Sequence, residues 1–289
     1  MDAASKRGPA AGSVSVYPFP DRMALVRGLG DIGSAVAHRL FSEGYNVIIH
    51  DGPYPATTRR TMAFTDAAFE GAAVLEGVEA RRASDVASIP SVLALGFVTV
   101  YVGPLESLAA GVRFAVLVDA RMRKRDVPDD QRGLAAITVG LGPNFEVGVS
   151  CDVAVETSWN ALGAVIRSGA PLPLAGEPRE IGGHGRERYV YAPEAGTFET
   201  TMQIGDEVRA GQPVATIGET VLAAPLSGTL RGLTRHGVPV AVQTKVIEVD
   251  PRGRAAPEMA GIAERPRRIA EGVIAAIGGL RRQDPVEHE

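Results

Sequence analysis

Residues 23 to 51, MALVRGLGDIGSAVAHRLFSEGYNVIIHD, constrain the fold of this chain more than any other stretch. Met23 to Val26 is an apolar run with no polar break, the pattern of a central strand buried on both faces. Gly28, Gly30 and Gly33 follow at G-x-G-x-x-G spacing. Ser34 to Glu43 has helical spacing, with Val36 over Leu40 and Ala37 over Phe41 on one face. Gly44 stops that helix as a residue past the C-cap would. Tyr45 to His50 returns to a strand pattern, and Asp51 stands at its carboxyl end. The order is strand, glycine turn, helix, strand, acid.

Each glycine has a task if this unit grips a pyrophosphate: a tight turn, a close backbone approach, and tight helix–strand packing. The helix amino terminus then faces the phosphates with free N–H groups and a favourable dipole. Asp51 would accept hydrogen bonds from ribose hydroxyls. Asp31 runs against this, because a carboxylate in the turn repels a pyrophosphate unless it points away or caps the helix. The competing reading is a degenerate turn whose glycines serve packing alone.

Composition narrows the alternatives. A net charge of −4 supplies no field for nucleic acid or an anionic membrane. Lys6, Lys124 and Lys245 are the only lysines, which limits amine chemistry. Cys151 is the only cysteine, so a reducing compartment is expected. Residues 1 to 13 lack the apolar core of a signal peptide, and no apolar window is long enough for a membrane span. A cytoplasmic protein is expected.

Strand and helix patterns alternate beyond Asp51. Strands are expected at 73–80, 97–102, 114–118 and 137–140, and helices at 85–95, broken near Pro90, and 105–110. That alternation predicts an α/β fold, a Rossmann-like parallel sheet with helices on both faces. Ligands of such sheets sit at the strand carboxyl ends, where three loops carry candidate groups. Arg59 and Arg60 form either a phosphate clamp or a solvated pair. Asp119 and Arg121 follow a strand directly, ahead of a basic run at Arg123, Lys124 and Arg125. Gly140, Gly142 and Asn144 either offer backbone N–H groups to an anion or make a tight turn. Cys151 reads as a buried small hydrophobe or, if its pKa is lowered, as a thiolate that handles sulfur, selenium or metal. No His or second Cys stands at metal-ligand spacing, so no metal site is expected.

The texture changes at residue 186. APEAGTF (192–198) aligns with APLSGTL (224–230), and the same offset sets Gly205 on Gly237, Val208 on Val240 and Ile217 on Val249. Two tandem β-motifs suggest a small sandwich with an internal two-fold. IGDEVRAGQPVATIG followed by VLAAPLSGTL resembles the biotinyl/lipoyl barrel-sandwich hybrid family. That family carries its cofactor on a lysine at the hairpin tip, where this chain has Gly218, Glu219 and Thr220. Neither biotin nor lipoate is therefore expected, and the unit reads as a docking or assembly module. The predicted organisation is a tail over 1–22, a nucleotide-binding domain over 23–185, a small all-β domain over 186–254, and a C-terminal helix and tail over 255–289.

Taken together, VRGLGDIGSAVAHRL, RRT, VDARM, GLGPNF, CDVAVET, the AP..G repeats and VDPRG resemble the YqeB-type accessory proteins of selenium-dependent molybdenum hydroxylase systems. Asp31 belongs to the glycine loop of that family. One segment departs from it: SWNALGAVI, with Trp159 and Asn160, replaces the usual text after VET. The resemblance implies a role in maturing a hydroxylase of the xanthine dehydrogenase type. The ligand would be NAD(P) or a nucleotide form of the molybdenum cofactor, and the partner the hydroxylase or its cofactor. Two other readings stand beside it: an NAD(P)-dependent oxidoreductase, and a non-catalytic scaffold with a vestigial turn. An oxidoreductase needs a proton shuttle, and none of the five histidines has an acid beside it in a catalytic pairing. Whether any reaction is catalysed, and whether the chain forms a homo-oligomer, is open at this level.

Overall fold

A computed structural model describes residues 20–123, 126–173, 178–253 and 259–281. The first half contributes β1 (Met23–Arg27), α1 (Asp31–Ser42), β2 (Asn46–His50), α2 (Ala67–Glu70), β3 (Ala72–Leu75) and β4 (Val78–Arg82). It continues with α3 (Ile89–Ala94), β5 (Val98–Tyr101), α4 (Leu105–Gly111), β6 (Phe114–Asp119), β7 (Ala135–Leu141), β8 (Val153–Val155) and β9 (Val165–Ile166). These strands form one sheet in the order β3-β4-β5-β2-β1-β6-β7-β8-β9. From β4 to β8 the neighbours run parallel, while β3 and β9 add antiparallel edges.

The alternation of β1 explains the layers. Ala24 and Val26 face one core with residues of α1, and Met23 and Leu25 face another with Ile89 and Leu93 of α3 and Leu108 of α4. All five residues of β1 are buried, as its unbroken apolar text requires. Gly44, at φ +80°, follows the end of α1 and donates its N–H to the Phe41 carbonyl. The helix itself starts at Asp31, three residues before the apolar periodicity begins.

Two expectations are corrected. Residues 73–80 make a hairpin and not one strand, because Glu76 and Gly77 both take positive φ and turn β3 back onto β4. Pro90 does not break a helix over 85–95. A 3-10 turn at Val86–Ser88 comes first, capped by Asp85, and Pro90 lies in the opening turn of α3, where its missing N–H costs nothing.

The second half holds β10 (Tyr189–Tyr191), β11 (Gly196–Glu199), β12 (Glu207–Val208) and β13 (Pro213–Ile217). An offset of about 32 residues leads to β14 (Thr220–Ala223), β15 (Gly228–Leu233), β16 (Val238–Val240) and β17 (Lys245–Asp250). They form two four-stranded sheets, β10-β17-β15-β12 and β14-β13-β11-β16, around a shared core that includes Phe198, Ile217, Leu230 and Val249. Each sheet draws two strands from each repeat, so the repeats interlock. After this half, α5 (Glu264–Arg281) returns to the first, setting Ile269, Val273, Ala276 and Ile277 into the core beside α1. Lys124, Arg125, most of the amino-terminal tail and the last eight residues lie outside the described residues.

Candidate functional site

The glycine turn sits at the carboxyl end of β1, and its three glycines have different physical reasons to be there. Gly28 has φ +110°, and a Cβ on it would lie 2.9 Å from the Ala120 carbonyl carbon and oxygen, which follow β6. A Cβ on Gly33 would overlap the Gly28 carbonyl oxygen. Both positions are dictated by packing within the chain. Gly30 is not: it caps α1 at φ −75°, ψ −177°, extended backbone that any residue adopts, and a Cβ on it would meet nothing within 4 Å.

Asp51 approaches the turn from the end of β2. Its Oδ2 accepts the Leu29 N–H at 2.7 Å and its Oδ1 accepts the Gly52 N–H at 2.7 Å. The carboxylate thus pins the turn, and each oxygen retains a second lone pair for a hydroxyl donor. Asp31 does not act as the N-cap. It occupies the first position of α1, accepts the Ile32 N–H at 3.0 Å, and meets Arg59 Nη1 at 3.2 Å. That guanidinium offsets the charge that would otherwise repel a phosphate.

Arg59 and Arg60 do not act as one clamp. Both leave the long loop after β2 and dock the second half onto the first. Arg60 donates to the Leu233 carbonyl at 3.0 Å and grips Asp66 at 2.8 and 2.9 Å. Arg59 reaches Glu248 of β17 with two parallel bonds of 2.9 and 3.0 Å. Glu248 is fully buried and also accepts from Arg188 and Arg231, each at 3.1 Å, and from Lys245 at 3.2 Å. Burial opposes its charge, but Lys245, Arg59 and Arg231 outweigh that and hold its carboxyl far below the usual range. Burial pulls Lys245 down to about 8, against the support of Glu248. Sequence reasoning missed Glu248, Arg188 and Arg231. The one available signal was an acid set among Val246, Ile247 and Val249 in a strand buried on both faces.

The remaining candidates are engaged locally. Asp119, 2% exposed at the end of β6, takes both the backbone N–H and the side chain of Arg121, and Gln131 besides. Burial raises its pKa, yet the Arg121 hydrogen bonds and charge bring it below the ordinary value. The same Asp-x-Arg turn recurs at Asp130 with Arg132 and at Asp250 with Arg252, so the pattern is a local closure. Gly140 lies against the Phe145 ring with no room for a Cβ. Gly142 takes φ +84° and spends its N–H on the Val155 carbonyl at 3.0 Å, while Asn144 Nδ2 donates to the Asp126 carbonyl. Cys151 is buried beside Phe145 and Ala154, and burial pushes its thiol up to about 11. Such a thiol stays protonated at neutral pH. Trp159 stacks under Arg179, and Glu156 accepts three backbone N–H groups, from Thr157, Ser158 and Leu172.

Two surface cavities lie away from the turn. One of about 960 Å³, bordered by Asp21, Phe114 and Ala135, opens at the amino ends of β6 and β7. The other, near Gly205 and Gly253, belongs to the second half. Among the described residues no helix is long and apolar enough to cross a membrane, and no three His, Cys, Asp or Glu groups converge as metal ligands.

No family model matches the chain. The chain is similar to the uncharacterized protein YqeB of Escherichia coli (strain K12), with 36% identity over 270 residues. The aligned region covers 92% of this chain and 49% of that protein, so the chain spans about half the length of this relative. Among solved structures, the ectoine utilization protein EutE (DoeB) from Ruegeria pomeroyi in a product-bound form shares 12% identity, with a TM-score of 0.23. That alignment covers 79% of this chain and 84% of the other. A succinylglutamate desuccinylase from Silicibacter sp. TM1040 shares 14% identity with the same coverage and TM-score. Likeness at that level carries no argument about this chain.

Proposed function

We propose that the chain is an accessory protein for maturation of a molybdenum hydroxylase of the xanthine dehydrogenase type, in a selenium-dependent system. On this reading the nine-stranded sheet is a Rossmann-like domain that holds NAD(P) or a nucleotide form of the molybdenum cofactor. The second half is a barrel-sandwich hybrid that has lost its carrier lysine and serves docking. One observation carries the ligand claim. Gly30 needs to be glycine neither for its backbone angles nor for packing, and it caps a helix amino terminus that opens to free space. A glycine at such a place suits the approach of a phosphate to the backbone. Asp51 beside it retains lone pairs for a ribose hydroxyl.

For the oxidoreductase alternative, the described residues offer no histidine paired with an acid at this edge. His50, at the end of β2, is bonded through Nε2 to the Gly103 carbonyl at 2.8 Å, and burial lowers its pKa. Binding and hand-over fit these groups better than turnover.

Calorimetry with NAD, NADP, FAD, ATP and CTP tests the ligand claim, with saturable binding to one of them expected and loss of it in Gly30→Val. Deleting the gene should leave the hydroxylase expressed but poorly active. A deletion strain with full hydroxylase activity and normally loaded cofactor refutes the maturation role.

A further inference from the structure

The group of charges around Glu248 is out of balance. Arg59, Arg188, Arg231 and Lys245 face one buried carboxylate, and Asp31 is the second acid in contact, through Arg59. Among the described residues, the four cations bonded to Glu248 meet two carboxylates, with Asp250, itself held by Arg252, also offsetting Arg231. Burying one glutamate requires a single well-aligned partner and satisfied lone pairs. Here the two parallel bonds from Arg59 already meet that need, and Arg188 adds a third bond from full burial. Arg231 and Lys245 add further attraction to Glu248 and also repel Arg59. Burial lowers the Arg231 pKa and the Arg59 charge lowers it further.

These two side chains are also the ones with donors to spare. Among the described residues each makes one hydrogen bond, to Glu248, which leaves most of the N–H groups of Arg231 and two of Lys245 without an acceptor. Their side chains are 14% and 31% exposed, so one side of the cluster reaches the surface. Three adjacent strands frame it: Tyr189 of β10 and Gly232 of β15 both stand opposite Glu248 of β17. Gly232 is closely packed there, since a Cβ on it would press on the Glu248 Cβ at 3.1 Å and on the Thr58 Cβ at 3.2 Å. The Tyr189 ring lies under the Lys245 ammonium at 4.6 Å and fixes its direction. Further round the rim, Arg265 donates to the Thr157 carbonyl, and burial lowers its pKa against the opposing charge of Asp31.

We propose that Arg231, Lys245 and Arg59 form a binding site for a phosphate-class dianion, on the second half and next to the glycine turn. A dianion cancels the excess charge, and its oxygens accept the spare donors. Because Arg59 touches both Asp31 of α1 and Glu248, one ligand can place one anionic group at Gly30 and another here. That extension rests on the nucleotide reading of the turn, whereas the anion site itself does not.

The probe is inorganic phosphate, titrated into the full chain against sodium chloride of equal ionic strength, and read by calorimetry and by the melting temperature. Saturable binding is expected. Arg231→Gln and Lys245→Gln should each weaken it about 10- to 100-fold, the loss expected for a charge-assisted hydrogen bond. In a Gly30→Val background, which removes nucleotide binding and any phosphate at the turn, Lys245→Gln should still lower phosphate affinity, so the two sites fail separately. If Arg231→Gln does not fold, Lys245→Gln decides alone. Absence of saturable phosphate binding by the unaltered chain, or unchanged affinity in the folded variants, overturns the site.

Discussion

Arg59 and Glu248, 189 residues apart in the chain, meet through two parallel hydrogen bonds of 2.9 and 3.0 Å. The contact joins the loop after the second strand to the last strand, and so links the side of the glycine turn to the β-rich half. Bidentate geometry and burial together give such a pair its directional strength.

Removing the carboxylate should therefore be costly. Glu248→Gln leaves four cations clustered without their shared partner, and the expected loss is about 3–5 kcal/mol. Urea denaturation followed by circular dichroism measures it; a loss below the range of an ordinary surface substitution would show the cluster to be energetically idle.

Gly33 and Gly30 should separate folding from binding. Gly33→Ala drives a Cβ into the Gly28 carbonyl oxygen and should prevent a stable fold. Gly30→Ala should fold with a change of about 1 kcal/mol, the scale of an N-cap substitution. Thermal melts of the two variants, run side by side, check the contrast.

Lys245 sets an opposed pair of pH dependences. Its folded value of about 8 lies below the unfolded value of about 10.4. Between those values the unfolded chain holds a proton that the folded chain has released, so its contribution makes stability rise with pH. Phosphate affinity should fall across the same window as the ammonium is lost. Of the other groups that face it, Arg59 keeps its charge, Glu248 stays ionised, and burial raises the Tyr189 pKa, so its phenol titrates later. Titrations on either side of the Lys245 value test the sign, and an affinity that holds steady contradicts it.

Cys151 should resist alkylation. With its thiol pushed up to about 11 and buried, iodoacetamide at neutral pH should label it only after unfolding. Mass spectrometry of native and denatured samples gives the answer. If the proposed maturation role holds, Cys151→Ala should retain it.

The hairpin tip at Gly218 and Glu219 offers no amine. Protein made with biotin and lipoate ligases present should keep its unmodified mass, and an added mass for either group would reassign the second half.

The unit from Met23 to Asp51 is legible in the sequence because its signals are local: an unbroken apolar strand, glycines at fixed spacing, and i,i+4 pairs. The repeat is legible for a related reason, since each copy restates the other at a constant offset. The β3–β4 hairpin is harder to read. Its Glu76-Gly77 turn lacks the Asn or Asp that usually announces one, and the flanking residues run on as a single apolar stretch. The cluster at Glu248 is not legible at all. Its members come from a loop, a turn and two strands, and nothing in their spacing says that they converge. Arg59 and Arg60 look alike in sequence, yet only the fold shows that one reaches Glu248 and the other Asp66.

The exchange of strands between the two repeats also governs how this half must come together. A single copy can complete neither sheet, because half the strands of each belong to its neighbour. An isolated copy would have to find a second chain and would assemble only as far as its concentration allowed. Joined at Gly218 and Glu219, the copies meet at an effective concentration set by a two-residue tether, and dilution ceases to matter. Severing the backbone there would turn a first-order folding step into a second-order one.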